Sequence, residues 1–381
     1  MGGEPGRAPG AAQPAMPGGP TAGPRTVETR CTCGGQNPGM SMPSQFRRQL
    51  LSTGLLWPLQ ALTAQPVLAP AAGRVWRVGA GLALSRIADA IRQAADGDTI
   101  EILPGDYPGD VAVIHQRRLS LLGLASGPHD RPRLLAAGQH AEGKAIWVVR
   151  GGDIQVAKLH FEGARVADRN GAGIRFERGH LHLSQCSFTD NQNGVLTGNA
   201  IDSSLMIDDC DFGQAPVNPG NLPHLLYVGR IGQVSIHGSR FRAGHEGHLI
   251  KSRARRTRLI GNLLDDGPTG QASYEIDLPE GGEALVEGNT VVQSKGTQNP
   301  VMLAYGAERP HWPLNRLILR RNTFINRLPA GGWFVRVWAD RLPPGAEVLS
   351  QGNRYLGPGS LLLGPAGRSV DDQHGPVPLL T

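Results

Sequence analysis

Between residues 153 and 355, polar and apolar positions alternate in short runs, each closed by a large apolar anchor. The runs are IQVAKLHF ending at Phe161, LHLSQCSF at Phe188, LMIDDCDF at Phe212 and VSIHGSRF at Phe241. They continue as RLIGNLL at Leu264, ALVEGNTV at Val291, LILRRNTF at Phe324 and VLSQGNRY at Tyr355. Alternation with a period of two is the mark of a half-buried strand. Anchors 23 to 33 residues apart mark one supersecondary unit repeated and stacked. A second strand-like run sits between anchors: AGIRF (172–176), HLLYVG (224–229), HLIKSR (248–253), YEIDL (274–278), VMLAY (301–305) and WFVRVW (333–338). No 3.6-residue pattern accompanies them, which excludes a helical solenoid. The chain is expected to be all-β, a parallel β-solenoid of roughly eight to ten coils.

Two positions before each anchor stand Leu159, Cys186, Cys210, Ser239, Asn262, Asn289, Asn322 and Asn353. Four successive asparagines at one repeat position predict a buried ladder, because a buried amide must find partners in its own turn and the neighbouring coil. Cys186 and Cys210 occupy this position in adjacent coils, so they are either stacked thiols or a disulfide. Neither they nor Cys31 and Cys33 have zinc-site spacing.

The run VGAGLALSRIADAIRQAADGDTIEILPGDY (78–107) reads as a helix followed by a turn and a strand. Ser85 is placed to cap the helix, Ile87, Ala90, Ile91 and Ala94 lie on one side of it, and Gly97 suits a left-handed residue after it. This run resembles the N-terminal cap of the right-handed parallel β-helix proteins of the pectin-lyase-like superfamily. The resemblance implies a right-handed parallel β-helix over 75–360 with a capping α-helix; residues 361–381 read by composition as a Pro/Gly-rich tail. The resemblance also implies elongated sugar polymers as ligands, bound along outward side-chain ladders.

Composition changes the picture at the N-terminus. Residues 1–39 hold ten Gly and seven Pro but no Ile, Leu, Phe, Tyr or Trp, the composition of a disordered leader. Residues 40–69 place Arg47-Arg48 before an apolar run with small-residue sites after it. That order reads as an export signal, and RR-x-L-L resembles a twin-arginine signal, implying a periplasmic or secreted protein. No uninterrupted apolar stretch is long enough for a transmembrane helix, so no stable membrane insertion is expected once the signal is removed. The net charge of +6 comes without basic runs interleaved with aromatics, so nucleic acid is not an expected partner. Phosphate loops, dinucleotide fingerprints and nucleophile elbows are all absent from the sequence.

The strand with the most chemistry is HLIKSR. With Ile250 inward, Leu249, Lys251 and Arg253 share the outer face. In the next coil, Ile276 inward places Glu275 and Asp277 outward beside those cations. Two coils on, Phe334, Arg336 and Trp338 reach the same face, with Arg256 and Arg258 in an intervening turn. A polyuronate lyase must neutralise a carboxylate, abstract the C5 proton and protonate the leaving oxygen. Lys251 as base, Arg253 as carboxylate clamp and Tyr274 or His248 as proton donor fit those tasks. Glu275, Asp277, Arg336 and Trp338 are the candidate substrate-binding residues, and an acidic polysaccharide is the expected partner. The Lys-Ser pair followed by Arg resembles the alginate and chondroitin lyases built on this fold, although Glu275 and Asp277 stand where those enzymes place an Arg. The competing reading is a surface ion-pair ladder on a non-catalytic glycan-binding or cell-envelope solenoid. Ca²⁺ is the one candidate cofactor, through Asp208, Asp209 and Asp211 or Asp265-Asp266, but these residues read better as turn formers. The other histidines, His224 among them, have no ligand spacing and read as surface or turn residues.

Overall fold

The computed structural model describes residues 73–217 and 222–377. The leader expected over 1–39 and the export signal expected over 40–69 lie outside these residues. The described residues form a right-handed parallel β-helix. Each coil contributes one strand to each of three parallel sheets, which hold 12, 11 and 10 strands among the described residues. The first sheet carries the polar-apolar runs, such as Asp153–Ala157, and the second carries the anchors, such as His160–Glu162. The third carries the second runs, such as Ala172–Phe176.

The corner between the first and second sheets explains the repeat. Its first residue lies in the left-handed region in coil after coil: Lys158, Gln185, Asp209, Gly238, Gly261, Gly288, Arg321 and Gly352, with φ between 51° and 65°. That conformation turns the chain and delivers the next residue, the ladder position, into the interior. The anchors then stack: Phe161, Phe188, Phe212 and Phe241 follow one another with ring centroids 5.1, 4.7 and 4.7 Å apart. Opposite them, Gly194 is required by space, since a Cβ there would stand 2.8 Å from the Phe212 ring.

The ladder forms as expected and runs further. The backbone N–H of Asn262 donates to Asn289 Oδ1 (2.8 Å), that of Asn289 to Asn322 (2.9 Å), and that of Asn322 to Asn353 (2.9 Å). Each amide also donates back to a carbonyl of the preceding coil, as Asn289 does to Leu259 (2.9 Å). Upstream the same bond runs from Cys186 N to Cys210 Sγ, from Cys210 N to Ser239 Oγ, and from Ser239 N to Asn262 Oδ1. Cys186 and Cys210 are thus stacked, buried free thiols.

Two expectations about the ends are corrected. Residues 361–377 are not a tail: strands Ser360–Leu362, Gly367–Val370 and Gln373–Gly375 add another coil. Asp372 there accepts from Asn353 N (2.8 Å) as the last rung. Its local composition hides this, because the coil is rich in Gly and Pro and lacks an apolar anchor. At the other end the helix Ile87–Gln93 forms, but Ser85 does not cap it. Asp110 does so from the following coil, accepting from Ile87 N (2.6 Å) and Ala88 N (2.9 Å). No helix among the described residues is long and apolar enough to cross a membrane.

Candidate functional site

The third sheet positions the chemistry because two successive residues face inward at the start of its strands. Leu249 and Ile250 are both in the core, and so are Phe334 and Val335. Glu275 and Ile276 are likewise fully buried. Simple alternation fails at this point, so Leu249, Glu275 and Phe334 are interior rather than on the outer face. Glu275 is packed inside the solenoid, its carboxyl pushed well up by burial with Asp266 adding to the effect, and Gln293 Nε2 lies 3.5 Å away. After the double inward step, alternation resumes. One outward column then runs in register through Arg175, Leu196, Tyr227, Lys251, Asp277, Ala304 and Arg336.

Beside it lies a column of rings. His224 stacks on His248, and His248 on Tyr274, each with centroids 4.8 Å apart. His224 Nδ1 accepts from His248 N (2.9 Å), and His248 Nδ1 accepts from Tyr274 N (3.2 Å). These bonds leave the proton of each neutral ring on Nε2. Burial, with Lys251 and Arg253 nearby, lowers the His224 pKa to about 3 and that of His248 well below the usual histidine value. The contact of His248 Nε2 with Asp277 Oδ2 at 3.3 Å is therefore a neutral donor facing a carboxylate, not an ion pair.

Lys251 Nζ lies 2.9 Å from Asp277 Oδ2 and 3.0 Å from Glu308 Oε1. Arg253 donates to Glu280 (2.8 Å), to the Tyr227 hydroxyl (2.9 Å) and to Glu308. Arg230 pairs with Glu280 and lies over the Trp312 ring at 4.2 Å. Burial opposes charge on Lys251, but Asp277 and Glu308 outweigh it and its pKa is raised. Burial lifts Asp277 to about 6 despite Lys251. For Glu308 burial works the other way from its partners, and the Arg253 and Lys251 bonds prevail, leaving it below the usual value. Lys251 is thus an ammonium at neutral pH, not the free amine that a base requires. Arg336 lies over Trp338 (4.5 Å) and Trp333 (5.1 Å), and no carboxylate among the described residues is paired with it.

The sheet therefore brings Lys251, Arg253, Tyr274, His248, Asp277, Arg336 and Trp338 to one face and removes Glu275 from it. Arg256 and Arg258 lie in the first-sheet strand Arg256–Ile260, not in a turn, and Arg256 pairs there with Glu283. The sequence frame held a signal for two residues it did not single out: HLLYVG laid over HLIKSR puts His224 with His248 and Tyr227 with Lys251. Glu280, Glu308 and Trp312 come from loops that have no repeat frame. Among the candidate calcium carboxylates, Asp208 accepts from His182 and His237, Asp211 pairs with Arg242, Asp265 accepts from Gly267 N, and Asp266 accepts from Gly244 N and Ala272 N. No cluster of three or more metal-ligating side chains occurs among the described residues.

No protein-family model matches the chain, and no curated protein sequence does. Among solved structures it is similar to an alginate lyase from Paenibacillus sp. strain FPU-7, at 13% identity and a TM-score of 0.44, over 79% of this chain and 99% of that one. It is similar to PfbA, a surface adhesin of Streptococcus pneumoniae, at 10% identity and a TM-score of 0.39, over 76% and 86% of the two chains. A third likeness is to the tailspike gp49 of Acinetobacter baumannii bacteriophage Fri1, a capsular polysaccharide depolymerase. It has 11% identity and a TM-score of 0.37, and covers 79% of this chain but 55% of that one.

Proposed function

We propose that the protein is exported, binds an acidic polysaccharide along the outer face of the third sheet, and acts on it by β-elimination or C5 epimerisation. The supporting observation is the company kept on that one face: three stacked rings, two cations anchored by buried carboxylates, and an arginine held between two indoles with no anionic partner among the described residues. Rings suit the apolar faces of sugars, and cations suit uronate carboxylates. Both reactions begin with transfer of the C5 proton to a base, which becomes possible only when the neighbouring carboxylate is neutralised. The exposed carboxylate of Glu308 is the proton acceptor on this face. Arg336 and the Lys251–Arg253 pair supply positive charge for that purpose. The Tyr274 hydroxyl, kept protonated chiefly by burial with Asp277 adding to it, is the donor for the leaving oxygen.

A second reading, binding without turnover, is favoured by one observation. Lys251 is committed to two carboxylates, and both ring nitrogens of His248 are engaged, so neither is a free base as it stands. Incubation with alginate, pectate, chondroitin and hyaluronan, with and without Ca²⁺, separates the readings. Ultraviolet absorbance from an unsaturated uronate, or a changed uronate stereochemistry by NMR, supports catalysis. Binding with neither signal supports the second reading, and no binding to any member of the panel removes both for these polymers.

A further inference from the structure

We propose that Lys251 and Arg253 form a two-pronged receptor for one carboxylate, and that Glu308 occupies it until an anionic ligand takes its place. The two cations are held in the same way. Each has a fixed partner behind it, Asp277 for Lys251 and Glu280 for Arg253, with side chains 2% and 4% exposed. They share a single partner in front, Glu308, whose side chain is 45% exposed. Glu308 gives one oxygen to each cation, Oε1 to Lys251 at 3.0 Å and Oε2 to Arg253. A free carboxylate would make the same bidentate contact.

Charge points the same way. Arg230, Lys251 and Arg253 face Asp277, Glu280 and Glu308, so the cluster balances only with a third carboxylate in place. Exchange needs no opening of the loop. Glu308 N donates to Pro279 O (2.8 Å), Trp312 N to Glu280 O (3.1 Å) and Trp312 Nε1 to Arg253 O (3.1 Å). With the backbone tied down, release is a side-chain rotation into solvent. A tethered occupant weakens the apparent affinity for a free one by the fraction of time the site is empty. If Glu308 is in place about nine-tenths of the time, its removal strengthens binding about tenfold.

The inference rests on the acidic-ligand reading for its meaning, so the test uses a monosaccharide and does not depend on any polymer. In the full chain, Glu308→Ala is titrated with glucuronate, and with glucose at matched ionic strength, by calorimetry and thermal unfolding. The expected result is glucuronate binding about tenfold tighter than in the parent protein. The melting temperature of the variant should be lowered and then restored by glucuronate, not by glucose. Addition of Lys251→Met to that variant should abolish the response. Equal affinity in parent and variant, an equal response to glucose, or a response that survives Lys251→Met would each overturn the proposal. Glu308→Gln, which keeps the side-chain volume, should show the same order at smaller size should the alanine variant fold poorly. A glucuronate response without binding to any acidic polymer upholds the receptor and counts against the proposed function alone.

Discussion

Asn289 shows what one side chain carries in this architecture. Its Oδ1 accepts from both the backbone N–H and the amide of Asn262, and its Nδ2 serves the carbonyl of Leu259. Asn289→Ala leaves those groups buried and unpaired, so roughly 2–4 kcal/mol of stability should be lost, measured by denaturant unfolding. A change below about 0.5 kcal/mol, ordinary for a surface site, would mean that neighbouring groups replace the amide. At the corner the expected sign is reversed. Gln185 holds φ at 52°, so Gln185→Gly should stabilise by about 0.5–1 kcal/mol in the same assay. The ladder was legible because a short amide recurs at a fixed distance before four successive anchors. Leu249, Glu275 and Phe334 were not, because a period-two reading cannot register two consecutive inward residues.

At the scale of the element, the final coil and the loop at Asp266 make separate predictions. Truncation after residue 357 removes Asp372, the acceptor for both Asn353 N and Asn353 Nδ2, and exposes Tyr355, whose ring packs 5.3 Å from His374. Thermal unfolding should therefore show a clear loss, whereas a dispensable tail would leave the midpoint unchanged. Asp266 secures its loop by accepting from Gly244 N (2.7 Å) and Ala272 N (2.9 Å), and burial raises its pKa from 3.8 to about 6. Below pH 4 the carboxyl is protonated in both folded and unfolded chains. As pH rises from 4 to 6 the unfolded chain releases its proton first, so folding loses up to about 3 kcal/mol. Urea midpoints of the parent minus those of Asp266→Asn should fall across that window and level off above it. A constant difference would show that Asp266 titrates normally. Neither element was accessible from sequence: the last coil has no apolar anchor to extend the frame, and the Asp266 bonds close a loop that does not repeat.

Over the whole molecule, the solenoid turns a sequence repeat into a surface. Residues one coil apart become neighbours about 4.8 Å apart. The five coils from Tyr227 to Arg336 thus carry the candidate chemistry over about 20 Å, a length suited to an extended polymer. Tyr274→Phe should lower any turnover by at least about 100-fold while acidic-glycan binding changes only a few-fold, measured by absorbance and calorimetry on the same samples. Equal activity in the variant would take Tyr274 out of the chemistry. Much of this face could be read from the aligned second runs, which placed Lys251, Asp277, Tyr274, His248, Arg336 and Trp338 together. Its partners Glu280, Glu308 and Trp312 could not, since loop residues follow no frame and are assembled only by the packing of the loops.

The ladder also bears on how such a chain can change in length. Every rung receives a donor from the coil before it and presents one identical donor to the coil after it. Asp372, which can only accept, is a stop that fits any number of preceding rungs. Duplication or loss of a whole asparagine-bearing coil between Ser239 and Asp372 therefore leaves the interior chemically complete. Within those limits, heritable variation in coil number becomes a question for the outer face alone, where an added coil lengthens the binding surface or separates its parts.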